Sequence, residues 1–220
     1  MTHYRNNARF AGVMFLLAMT ASLVGGMMIQ GDISQPDFMS NILDGKYTII
    51  TGVALELLNA FAVIGIAAAL WNPLKQRSPA ITAGYLCVRV VEATFCTAAA
   101  FIPVMMITLA EQTIGNRFTT YSERAFFANM LNTVRDDIVA YAVPIFFGIG
   151  AILLYIMLYR SGLIPKYIAI WGLAAAPAVI IANTFVTATM VKPVLVLPMI
   201  VNEIYLGIYL VAKGFRTAEA

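Results

Sequence analysis

Histidine is almost absent: His3, in the N-terminal tail, is the only one in 220 residues. That excludes a haem bundle with paired axial histidines, a His-rich intramembrane hydrolase and a His-containing catalytic triad. Cysteine is nearly as scarce, with Cys87 and Cys96 alone. On one helix, this pair would point to opposite faces about 13 Å apart along the axis. They read as small packing residues, not as a disulfide. Charged residues make up 11% of the chain, against about 25% in a soluble domain. No basic run is interleaved with aromatics, so no nucleic-acid partner is expected. Phosphate-binding glycine loops and EF-hand spacing are both missing. The sequence names no cofactor, no metal ligand set and no catalytic residue.

What is present is apolar length. The chain is 61% hydrophobic with a mean hydropathy of +0.83. Six runs are long enough to cross about 30 Å of hydrocarbon. They are 10–29, 47–71, 81–110, 138–159, 167–190 and 194–211. This predicts an all-α, polytopic transmembrane bundle forming a single domain over 1–220. Pro103 is expected to kink the third span or turn its outer end out of the membrane. Arg5 and Arg9 ahead of the first run resemble the start of a signal peptide. The run is about as long as a full span and carries no A-x-A cleavage site, so it reads as a retained helix. Trp71, Tyr159, Tyr167 and Trp171 fall at expected interfaces, where amphipathic rings anchor.

Charge sets the orientation. With six spans both termini share a side, which carries Arg5, Arg9, Lys75, Arg77, Arg160, Lys166, Lys213 and Arg216 against Glu219. The other side carries Lys46, Arg117, Arg124, Arg135 and Lys192. It also carries Asp32, Asp37, Asp44, Glu111, Glu123, Asp136 and Asp137. By the positive-inside rule both termini are cytoplasmic. The two loops on the terminal side, 72–80 and 160–166, are short, basic and contain proline. A hairpin duplication and the positive-inside rule both account for that likeness.

Within the second outer loop, Thr120 and Glu123 have capping-box spacing. Phe126, Phe127, Met130, Leu131, Val134 and Ile138 then recur every three or four residues. An amphipathic helix over 120–135 is expected. It lies on the outer surface or extends the fourth span, as a packing element or as a lid.

Four ionisable residues fall inside the spans: Glu56, Arg89, Glu92 and Glu203. Such groups cost roughly 3 kcal/mol or more at bilayer depth unless they pair or face the bundle interior. Measured from the terminal side, Arg89 and Glu203 lie about 12 Å deep, Glu92 about 17 Å and Glu56 about 22 Å. Arg89 and Glu92, three residues apart, share a helix face and can pair. Asn59, Asn183 and Asn202 add polar groups in the same region. If the second, third and sixth spans are neighbours, all of these converge. Three readings follow. The centre binds or transports a small molecule or ion, with Arg89 holding an anionic group or keeping Glu92 ionised. Glu56 and Glu203 would then exchange protons or contact a cation. Alternatively, it is a register-fixing network in a structural or regulatory subunit, or a carboxylate site acting on a lipid-like substrate. A transporter of only six spans would call for a homo-oligomer.

Several short segments resemble a bacterial membrane family known only as a domain of unknown function, DUF4386. They are Arg9-Phe10-Ala11-Gly12, Arg89-Val90-Val91-Glu92, Tyr159 through Lys166, Glu203-Ile204-Tyr205-Leu206-Gly207 and Lys213-Gly214. Their order and spacing span nearly the whole chain. The resemblance implies six helices in a bacterial inner (plasma) membrane and no established activity.

Overall fold

The computed structural model of the chain describes residues 2–33, 38–111, 120–188 and 190–216. Asp37, Arg117 and Glu219, which entered the charge comparison, lie outside them. The described residues are helical, without strands. In order they form α1 (Thr2–Ile33), the one-turn α2 (Phe38–Asn41), α3 (Lys46–Lys75), α4 (Pro79–Glu111) and α5 (Tyr121–Asp137). A π-helical turn (Ile138–Ala142), α6 (Val143–Ser161), α7 (Lys166–Thr184) and α8 (Val191–Ala212) complete the chain. Six helical stretches are long and apolar enough to cross a membrane, so the fold is that of a multi-pass membrane protein.

The spanning helices close into a ring in chain order. α1 packs on α3, α3 on α4, α4 on α6, α6 on α7, α7 on α8, and α8 returns to α1. In lipid no hydrophobic force drives helices together, so small residues that permit close van der Waals contact take over. The buried face of α7 is accordingly Ala169, Gly172, Ala175, Ala176 and Ala182 beside Ile168 and Val179. Closure of the ring depends on Gly12 of α1 crossing Gly207 of α8. A Cβ on Gly12 would stand 2.6 Å from the Gly207 carbonyl oxygen and 2.9 Å from Leu210 Cβ. Only a residue without a side chain permits that crossing.

Both ends of the chain meet at this end of the ring. Gly214 lies against Arg5 and Ala8, and the Arg216 amide donates to the Leu163 carbonyl at 2.8 Å in the α6–α7 loop. At the opposite end, Lys46 at the start of α3 pairs with Glu111 at the end of α4.

The elements sharpen three expectations. α4 continues as one helix past Pro103 to Glu111. The fifth span ends at Thr184, not at 190. Hydropathy continues there, but the β-branched stretch Thr184-Phe185-Val186-Thr187 disfavours helix. The amphipathic helix extends the fourth span outward. Thr120 and Glu123 form the expected capping box, and α5 then passes through the π turn into α6. That turn has a local cause. Pro144 has no N–H and its ring displaces the carbonyl four residues back. The Val143 amide therefore reaches five residues, to Ile138 O.

The face of α5 turned to the bundle also differs from the expected stripe. Ala128 and Arg135 are buried, whereas Phe126, Phe127, Met130 and Val134 are exposed. Leu131 and Ile138 pack against the buried cluster formed by α1, α3 and α4.

Candidate functional site

The ring encloses a cavity of about 320 Å³, within the size range of small-molecule sites. Six helices line it. α1 contributes Phe15, Met19 and Ser22; α3 Asn59 and Val63; α4 Arg89, Glu92 and Cys96. α6 gives Val143, Pro144 and Phe147, α7 Val179 and Asn183, and α8 Val196, Met199 and Glu203. The π turn therefore ends at the cavity wall, and such turns frequently sit at functional sites. From the terminal end, the polar lining runs from Arg89 and Glu203 at about 12 Å to Asn183 at about 24 Å. The cavity thus lies around the middle depth of the bundle.

Arg89 and Glu92 form a buried ion pair, Nη1 to Oε2 at 2.7 Å, with both side chains 4% exposed. The Arg89 guanidinium lies 5.9 Å from the Tyr85 ring centre and 5.8 Å from that of Phe147, a range in which aromatic faces attract cations. Its Nε is buried without a hydrogen-bond partner. Gly150 of α6 makes room for it, since a Cβ there would meet Arg89 Cδ at 3.1 Å.

Glu203 is placed differently. It lines the cavity half-buried, with no direct hydrogen bond or ion pair to any described residue. Asn59 is likewise open to the cavity. Asn183 donates its amide N–H to Val179 O at 2.9 Å, which leaves its side-chain oxygen free to accept. No group of three His, Cys, Asp or Glu side chains among the described residues is placed to hold a metal ion.

Asn59, Arg89, Glu92, Asn183 and Glu203 thus share one cavity. They meet across its width, because α8 packs on α1 and α7 instead of beside α3 and α4. Two of the expected residues are elsewhere. Asn202 is fully buried behind the cavity wall. It accepts from the Tyr155 hydroxyl at 2.9 Å and donates to Ile168 O at 3.0 Å, joining α6, α7 and α8. Neighbours on a helix differ by about 100°, so Asn202 turns outward where Glu203 turns in.

Glu56 also leaves the constellation. It pairs with Arg135 of α5 at 2.9 Å, and Arg135 donates as well to Gln30 of α1 at 3.3 Å. The sequence places Arg135 only among the outer-side charges, because α5 is too polar to register as a span. Its signal in the sequence was an arginine on the inward stripe of an amphipathic helix, three residues before Ile138.

Tyr155→Phe is expected to lower stability by about 1–3 kcal/mol, because Asn202 Oδ1 is left buried without a donor. The melting temperature in detergent should fall while the cavity remains accessible to solutes. An unchanged melting temperature would show that this network fixes nothing.

No curated protein and no solved structure matches the sequence significantly. A family model does, over residues 10–214, from the first ring helix past the end of the last. The chain belongs to the family described as a domain of unknown function, DUF4386.

Proposed function

We propose that this is a bacterial inner-membrane protein, with both termini cytoplasmic, that binds a small molecule or ion in the central cavity. The observation that carries this reading is an unfilled polar centre. A register-fixing network would satisfy its own groups. Here Glu203 and Asn59 face a cavity of about 320 Å³ without direct partners among the described residues. Arg89 and Glu92 form one wall, and Asn183 stands at the remote end. Transport would add an alternating opening to the same site, and with only six spans it would call for a homo-oligomer. The structural reading keeps support at one place, the Tyr155–Asn202–Ile168 network, which is closed and lies outside the cavity.

Thiol accessibility tests the proposal. In a Cys87→Ala, Cys96→Ala background, Ser22→Cys should react with a small charged methanethiosulfonate reagent. Val90→Cys, on the exposed outer face of α4, should stay unreactive in lipid. Equal, slow labelling of both cysteines would remove the binding reading.

A further inference from the structure

The charges that line the cavity do not balance. One guanidinium, Arg89, and two carboxylates, Glu92 and Glu203, stand in its wall. Arg89 is paired with Glu92. Glu203 is the remaining carboxylate. Arg89 donates to Glu92 through Nη1 and makes no direct contact with Glu203 among the described residues. Its Nε is buried without a partner, and its guanidinium stands 5.9 Å and 5.8 Å from the Tyr85 and Phe147 ring centres.

We infer that the cavity binds a monovalent organic cation, an amine or quaternary ammonium on a compact apolar body, with Glu203 as its counter-charge. This rests on the binding reading above and names its ligand class. A single positive charge beside Glu203 brings the cavity lining to neutrality, which a low-dielectric site strongly favours. The uncommitted Glu203 carboxylate suits a cation. The Phe15 and Phe147 rings in the lining offer faces to an ammonium group. The remainder of the wall, including Val63, Val179 and Met199, is apolar and suits a hydrocarbon body. A bare divalent ion is disfavoured, because it needs six or more oxygen ligands and no three acidic, Cys or His groups converge among the described residues.

The experiment uses three probes of one shape on the purified full chain in lipid nanodiscs. They are benzyltrimethylammonium (a cation), neopentylbenzene (its neutral isostere) and phenylmethanesulfonate (an anion). Thermal stabilisation and binding are measured for each. The cation alone should stabilise the wild type at millimolar concentration. Glu203→Gln should weaken its binding on the order of thirtyfold or more, and Glu203→Asp, which keeps the charge, should retain cation selectivity. Should Glu203→Gln fail to fold, Glu203→Asp still decides. It must keep the preference for the cation, and loss of that preference overturns the inference. Stabilisation by the neutral or anionic probe equal to that by the cation overturns the ligand class and leaves the binding reading standing. No stabilisation by any probe also overturns the ligand class, and labelling at Ser22→Cys then decides separately whether a solute-accessible cavity exists.

Discussion

Arg89→Ala should be among the most damaging single substitutions in the bundle, lowering stability by about 3–5 kcal/mol. The loss comes from what remains. Glu92 is 3% exposed and its described ion-pair partner is Arg89, so the variant leaves a carboxylate in an apolar interior without its counter-charge. The packing loss adds to this, since the Arg89 stem fills the space that Gly150 leaves. Arg89→Ala with Glu92→Ala should recover part of the loss, because no lone charge is then buried. The check is a double-mutant cycle on melting temperature in detergent. If the double variant is as unstable as the two single losses added together, the residues are not coupled.

Arg135→Ala should cost about 3 kcal/mol, at the lower end of the range for buried pairs. Arg135 is 3% exposed, whereas the Glu56 side chain is 14% exposed and is left partly accessible. The loss should be local. Arg135 ties α5 to α3 through Glu56 and to α1 through Gln30. Hydrogen exchange in 121–137 should accelerate strongly in the variant, while the cavity-lining parts of α4 and α8 keep their protection. Replacing both partners, as Arg135→Leu with Glu56→Leu, should restore much of the protection of α5. Unchanged exchange in α5 would show that the pair does not hold the helix.

The two arginines differ in how visible their roles were beforehand. Arg89 and Glu92 lie three apart in an uninterrupted apolar run, so their pairing follows from helix geometry alone. Glu56 and Arg135 are 79 positions apart, and nothing in helical periodicity links them. The hydropathy of α5 hid Arg135, because a polar helix beyond the hydrocarbon carries no span signal even when one of its faces is packed.

The apolar runs, their number and the depth of each buried charge were determined by the sequence itself. Bilayer thickness fixes how many residues must be apolar, and a rise of about 1.5 Å per residue converts position into depth. Which charges meet was decided only by the tertiary structure. The order of helices around the ring sets azimuth, and azimuth does not follow from depth. It placed α8 between α1 and α7, left Glu203 facing open space, turned Asn202 into the wall and handed Glu56 to α5. The close crossing of Gly12 and Gly207 shuts that ring, and the cavity inside it exists because six helices surround a centre that their side chains do not fill.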